Sequence, residues 1–318
     1  MMLAALVSDL STVPGKDGEI GNGEIVVSRD PRLTPPLLPA NFVSPEEGED
    51  IWEFWGRQME DADALWPLAP ETGGAMERLC HMAKERRRIL LACDAETVRI
   101  TASKRATATL LSKGGVAVVP VHEAGVEIPP PPGGWVVKPD DGAGAQDTRI
   151  FQNTKEVRGW LAKHPDHITQ PYIEGEVASL SLLCREGRAS LLCCNRQIVT
   201  IADGEIRLQA IEVGGMEQHR EAFAVLGDSI VALLPSLWGY NGVDVICGRE
   251  GIIVLEINPR LTTSYVGLGE SLGVNPAGLV LDLLSGGPLG EKPLPICRPQ
   301  KTVTIEMNSV KMAEPEDE

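Results

Sequence analysis

Two carboxylates, an amide and a guanidinium lie close together in GVDVICGREGIIVLEINPRLTTSYVGL, residues 242–268. Asp244 sits in one apolar run, and Glu256, Asn258 and Arg260 sit in or just after the next. All four are costly to bury without partners. Val243, Val245 and Ile246 lead into Cys247-Gly248-Arg249-Glu250-Gly251, a turn signal, and Ile252 to Ile257 reads as a strand. Runs joined by so short a loop pair antiparallel. Glu256 and Asn258 are two apart and share one face. With the turn centred on Arg249-Glu250, Asp244 stands nearly opposite Leu255-Glu256. Like charges that close repel unless a cation separates them. Hard oxygen donors without His or Cys point to Mg²⁺ or Mn²⁺. Mg²⁺ takes few carboxylates and completes its shell with substrate phosphates, so a nucleotide is the next thing to look for. The alternative is an edge hairpin with a solvated polar face. Pro259-Arg260, a rigid exit with a fixed cation beside the same cluster, favours the site.

Three further stretches carry chemistry. In WVVKPDDGAGAQDTRIF, residues 135–151, Lys138 ends a hydrophobic strand and a glycine-containing loop follows. Glycines admit an anion close to backbone N–H groups, and a strand-end lysine adds fixed positive charge, so the pair suits phosphates. A dinucleotide-binding fingerprint fits poorly, because Asp147 replaces the third glycine and no helix begins there. A G-x-x-x-x-G-K-[ST] loop is absent, and a plain hairpin tip is the competing reading. In QPYIEGEVASLSLL, residues 170–183, free backbone groups at Tyr172 and Ile173 could pair with an adenine edge, and Glu176 could accept ribose hydroxyls; a simple connector is the alternative. In Asn195-Arg196-Gln197, Arg196 could meet a phosphate or a substrate carboxylate, or lie on the surface.

The elements that must position these residues belong to a globular chain of 318 residues, long enough for two or three subdomains. A net charge of −16 without an extended basic stripe argues against a nucleic-acid partner. The opening MMLAALVSDLS is too short to span a bilayer and lacks a basic n-region, and we read Leu3 to Val7 as a buried strand. No membrane partner is expected. Seven cysteines without a C-x-x-C pair point to free thiols in a reducing cytoplasm.

Residues 1–102 alternate strand and helix signals, which suggests a parallel sheet with helices on its faces. Helices are expected at Asp50 to Gln58 and from Thr72 to Arg88, with strands at Ala62 to Leu68 and Leu90 to Cys93. From Thr101 the texture changes, and Ser103 caps a helix over Lys104 to Lys113. A strand at Val116 to Val121, a proline-rich linker, a strand at Trp135 to Lys138, a helix at Lys155 to Lys163 and a strand at Ile168 to Ile173 follow. A hairpin spans Val177 to Cys194, and helices span Gln218 to Trp238 and Pro276 to Leu284.

The order of motifs is more specific than any one of them. Lys104, then Lys138 with its glycine loop, the Gln170 to Glu176 connector, Asp244, and Glu256-x-Asn258-x-Arg260 together resemble the ATP-grasp superfamily over essentially the whole chain. The strongest motifs are VVKPDDGAG and the GVD…EINPR pair. The resemblance implies a mixed α/β and α+β fold. It would have a small α/β pre-domain over 1–102, a lid over 103–173, a central antiparallel-sheet domain over 174–310 and an acidic tail over 311–318. By the same resemblance Lys104 and Lys138 bind the phosphates of ATP, and the loop Asp141, Gly142, Ala143, Gly144, Ala145 closes over them. Gln170, Tyr172 and Ile173 hold adenine, and Glu176 holds ribose. Asp244, Glu256 and Asn258 carry Mg²⁺, or Mn²⁺, and Arg260 stands beside the reacting phosphate. Arg196, Arg260 and Lys138 would stabilise the charge that develops in phosphoryl transfer.

Such proteins typically activate a carboxylate as an acyl phosphate and pass it to an amine. The hydroxyls of Thr262, Thr263, Ser264 and Tyr265 could line an amino-acid pocket, or simply cap the next helix. This wording is similar to the tyramine–glutamate ligase family of methanofuran-type cofactor synthesis, which implies glutamate and a tyramine-like amine as small-molecule substrates. A kinase that stops at phosphoryl transfer and a non-catalytic nucleotide-binding regulator are the other readings. Oligomeric state is left open, with room for a homo-oligomer.

Overall fold

The computed structural model describes residues 1–13, 23–122, 131–142, 147–285 and 293–307. The chain opens with a helix, α1 (Met2–Ser11), not the expected strand. Leu3, Leu6, Val7 and Leu10 recur with helical spacing, and Leu6 and Val7 are buried. The α1 helix packs on helices from the far end of the chain, so the first dozen residues belong in space to the central domain.

The pre-domain is built from β1 (Val26–Ser28), β2 (Asn41–Val43), α2 (Ile51–Asp61), β3 (Ala64–Leu65), α3 (Ala75–Glu85), β4 (Ile89–Leu90) and α4 (Ala95–Ala102). Its strands do pair in parallel, but as two separate two-stranded sheets, β1 with β2 and β3 with β4. Asp50 caps α2 and Asp94 caps α4, each through its side chain. The helix expected from Thr72 begins as a tight turn at Thr72–Gly74 before α3.

Ser103 accepts from the Ala106 N–H at 3.1 Å and starts α5 (Lys104–Lys113) as expected. The segment expected as the lid continues with β5 (Trp135–Pro139), β6 (Arg149–Phe151), α6 (Thr154–Leu161) and β7 (His167–Pro171). The segment expected as the central domain contributes β8 (Gly175–Arg185), β9 (Arg188–Ala202), β10 (Glu205–Val213), α7 (Arg220–Leu233), β11 (Gly239–Gly248), β12 (Gly251–Asn258), α8 (Tyr265–Leu272), α9 (Pro276–Asp282) and β13 (Val303–Glu306).

Lid and central strands join in one antiparallel sheet ordered β12-β11-β8-β9-β10-β6-β5-β7, with β13 also on β10. The stretch 116–122 is not a ladder strand. It stitches the two ends of that order together: Val119 N–H donates to Val254 O at 3.0 Å and His122 N–H to Thr169 O at 2.8 Å. The sheet therefore curls around a cavity.

Central strands are buried on both faces. Ala178, Leu180 and Leu182 pack in the core that includes α7 residues, while Leu183 packs in the core with Leu268 and Val280 of α8 and α9. Strand alternation then decides which polar side chains reach the cavity. Among the described residues, no helix is long and apolar enough to cross a membrane, and all seven cysteines are free thiols.

Candidate active site

The hairpin of β11 and β12 turns at Arg249-Glu250, between Gly248 and Gly251, and places Asp244 directly opposite Glu256. A bulge at Leu255 sets this register, because Val245 already pairs with Val254. Asn258 is buried and donates through Nδ2 to Asp244 Oδ2 at 3.2 Å. Burial, then the charge of Glu256, pushes the Asp244 carboxyl well above its ordinary range. Burial acts on Glu256 in the same sense, but Lys104 and Lys138 outweigh it and hold that carboxyl below its usual range. The pair thus takes up one negative charge far more easily than two.

Lys104 is only 5% exposed. Its Nζ donates to Gly142 O at 2.6 Å and Asp140 O at 3.2 Å and lies 3.5 Å from Glu256 Oε2. Residues 140–142 after β5 are thereby tied to the start of α5, where Asp140 also accepts from Ser103 Oγ and the Arg105 N–H. Lys138 points into the same space, and burial, opposed by Glu256, lowers its ammonium pKa to about 8. Two lysines and two carboxylates therefore surround one end of a cavity of about 290 Å³. Gln170, Tyr172 and Ile173 line it elsewhere, and Val136, Val177, Ile246 and Leu255 give it apolar walls.

The donor set suits a hard divalent cation. Among the described residues, no three or more His, Cys, Asp or Glu side chains form a metal cage by themselves. A cation here would rest on Asp244, Glu256 and the Asn258 amide and complete its shell from water and substrate oxygens, as Mg²⁺ does. It would also relieve the carboxylate repulsion that raises Asp244.

Not every expected residue arrives at the cavity. Glu176 and Arg196 pair with each other at 3.4 Å, and Arg196 also meets Glu212 at 3.6 Å. Neither lines the cavity. The reason is parity: Arg196 registers with Ala178, on the face that carries Leu180 and Leu182. Its neighbour Gln197 faces the cavity and donates to Asp244 Oδ1 at 2.8 Å. The Tyr172 N–H is engaged by Gly134 O at 3.0 Å, so it is not free for an adenine edge. The Asp141 carboxylate turns to the pre-domain, where it accepts from Gly73 N–H at 2.9 Å. Ala143, Gly144 and Ala145, like the acidic tail at 311–318, lie outside the described residues.

Arg260 also lines the cavity, and its Nε donates to the Glu71 carboxylate at 2.9 Å. Thr262, Thr263 and Ser264 line the cavity as well. Thr262 and Ser264 are held in a buried hydroxyl network, with Tyr240 OH 2.9 Å from Thr262 Oγ1, 3.0 Å from Ser264 Oγ and 3.0 Å from Ser181 Oγ. Tyr265 departs from expectation: its hydroxyl donates to Asp9 Oδ2 of α1 at 2.7 Å, away from the cavity. Gln197, Glu71, Tyr240 and Ser181 escaped the sequence reading. Only Gln197 had a usable local signal, its place next to Arg196 on a strand.

A curled antiparallel sheet clasping such a cavity defines a class, and the chain belongs to the ATP-grasp family. The ATP-grasp domain matches residues 101–264 and the pre ATP-grasp 3 domain matches residues 23–98. The chain is 27% identical over 214 residues to tyramine–L-glutamate ligase of Methanocaldococcus jannaschii, a match covering 66% of this chain and 59% of that protein. The match spans about three fifths of the length of that curated relative. Among solved structures, an ATP-grasp superfamily protein from Archaeoglobus fulgidus is 22% identical, covers 86% of this chain and 83% of its own, and superposes with a TM-score of 0.60. L-amino acid ligase from Bacillus licheniformis is 19% identical, covers 81% and 67%, and gives a TM-score of 0.65. These likenesses agree with the fold described above.

Proposed function

We propose that this chain is an ATP-dependent carboxylate–amine ligase. The observation that carries the reading is the convergence of Asp244, Glu256, Asn258, Lys104 and Lys138 at one end of a cavity whose wall includes Gln170 to Ile173. A nucleotide laid along the cavity would put its base against Ile173, Val136 and Leu255 and its phosphates between the two lysines. A bound Mg²⁺ or Mn²⁺ would neutralise phosphate charge. Lys104 and Lys138 would orient the phosphates, and Arg260 would face the oxygen charge that builds as the γ-phosphoryl group moves. The carboxylate oxygen of one substrate would take that group and release ADP. The amine nitrogen would then attack the acyl carbon, forming the C–N bond as the C–O bond to phosphate breaks and phosphate and a proton leave. Enclosure by the lid would keep water from the acyl phosphate.

The relatives named tyramine–L-glutamate ligase support those two molecules as first candidates, and methanofuran-type cofactor synthesis is the setting this reading proposes. The hydroxyls of Thr262 and Thr263 beside Arg260 suit the polar end of an amino acid. The test is phosphate release from Mg-ATP with L-glutamate and a panel of aromatic amines that includes tyramine and tyrosine. Release that needs both glutamate and one amine, with a product of the amide's mass, is the expected result. Release that needs no amine would replace the ligase by a kinase. Tight ATP binding without release would remove glutamate as the carboxylate.

A further inference from the structure

Arg260 is held by the pre-domain, not by its own sheet alone. Glu71 ends the stretch before the Thr72–Gly74 turn, is only 6% exposed, and accepts from Arg260 Nε at 2.9 Å. The remaining bonds of the guanidinium go to Leu261 O, 3.1 Å from Nη1, and Asn258 Oδ1, 3.5 Å from Nη2. A guanidinium has five N–H groups. One on each terminal nitrogen is therefore left without a partner among the described residues, on a side chain that lines the cavity. The second oxygen of Glu71 is buried and also lies 2.9 Å from Nε, and among the described residues the carboxylate has no other polar anchor than Arg260. The turn that carries Glu71 is itself built for this seat. Gly73 and Gly74 both take left-handed backbone angles, φ 65° and 70°, which other residues adopt at a cost, and the Gly73 N–H is donated to Asp141 of the lid loop.

We propose that Glu71 is a positioning residue, contributed by the pre-domain, that fixes the Arg260 guanidinium so that its two remaining N–H groups bind an oxyanion in the cavity. The inference rests on the ligase reading only in naming that oxyanion as the phosphoryl group in transfer and the phosphate it becomes. Without Glu71 the long side chain would keep its charge and lose its aim, because Nε would no longer be tied down.

The experiment is calorimetric titration of inorganic phosphate into wild type, Glu71→Ala, Glu71→Gln, Arg260→Ala and the Glu71→Ala/Arg260→Ala pair, with and without Mg-ADP. Mg-ADP binding by the wild type is recorded first, so failure of the nucleotide reading appears there and leaves the phosphate titrations to judge Glu71. We expect Arg260→Ala and Glu71→Ala each to weaken phosphate binding by roughly tenfold or more, as loss of a charge-assisted bond does. Glu71→Gln keeps an acceptor for Nε, so its loss should be smaller, and it covers the case in which Glu71→Ala does not fold. The double variant should bind no more weakly than Arg260→Ala, since Glu71 acts through that arginine. Wild-type affinity in Glu71→Ala, a separate additional loss in the double variant, or no phosphate binding by the wild type would overturn the proposal.

Discussion

Asp244 and Glu256 face each other across a two-residue hairpin, and the bulge at Leu255 is what brings them into register. Without a cation the arrangement is unfavourable, since burial and the neighbouring carboxylate both resist ionisation of Asp244. Function and stability should therefore separate here. Asp244→Asn removes one charge and keeps an oxygen in place. We expect its melting temperature in chelator to equal or exceed the wild type while turnover falls by roughly a thousandfold, about 4 kcal/mol of lost transition-state stabilisation. Glu256→Ala should lose turnover to a similar degree with its fold intact, because Lys104 retains the Gly142 and Asp140 carbonyls. Thermal melts and phosphate release measured on the same samples decide it. A variant that keeps full activity would remove the metal assignment.

If Lys138 meets the phosphates as proposed, nucleotide binding should be sensitive to pH. Its folded pKa of about 8 lies below the value of roughly 10.4 for an unperturbed lysine. The unfolded chain then binds more protons between those values, so the ligand-free protein gains stability from this group as pH rises through that window. Nucleotide affinity should move the other way and fall above about pH 8, as the ammonium proposed to meet the phosphates is lost. Calorimetry of ATP binding from pH 6.5 to 9.5, with Lys138→Met beside the wild type, checks both the trend and its source. The variant should bind ATP more weakly and lose the decline.

The β11–β12 hairpin was legible from sequence because everything that builds it is local: two aliphatic runs, a Gly-x-x-Gly turn and period-2 alternation. The Ser103 cap and the strand-end position of Lys138 were legible for the same reason. What escaped depends on partners distant in the chain. Glu71 lies 189 residues from Arg260, and no periodicity in either segment announces the other. Strands β10 and β13 went unread, since β10 alternates with charged residues and β13 is four residues long. Helix α1 is a different kind of miss. Its 3-4 spacing was present, but a short apolar run beginning the chain fits a strand equally well by composition. Parity misled at Glu176 and Arg196, where the residue types were right for ribose and phosphate and the strand face was wrong.

Tyr265 was expected among the substrate hydroxyls and instead fastens α1 to α8. Its ring is buried, and its OH donates to Asp9 Oδ2 at 2.7 Å. Burial, opposed by that bond, raises the Asp9 carboxyl above its ordinary value. Tyr265→Phe keeps the ring and removes the donor, leaving a half-buried carboxylate short of a partner. We expect a stability loss of about 1–3 kcal/mol by denaturant unfolding, with ATP affinity unchanged. A drop in ATP affinity without a stability loss would return Tyr265 to the cavity.

Gln197 and Arg196 are adjacent in sequence and should differ sharply in consequence. Arg196 is partly exposed and meets Glu176 and Glu212 at 3.4 and 3.6 Å on the face away from the cavity. Ion pairs of that exposure contribute about 0–1 kcal/mol, so Arg196→Ala should cost little stability and leave phosphate release within about twofold of wild type. Gln197 holds Asp244 Oδ1 at 2.8 Å, and with Asn258 on Oδ2 it fixes the carboxylate plane between two amides. Gln197→Leu would leave Asp244 one donor short and free to rotate, raising its pKa further and weakening its hold on a cation. Groups that orient metal ligands typically change metal affinity by about 10- to 100-fold. The expected result for Gln197→Leu is a rise of that order in the Mg²⁺ concentration needed for half-maximal turnover, recoverable by adding more Mg²⁺. Equal losses in the two variants would mean that strand parity does not govern which of these side chains serves the reaction.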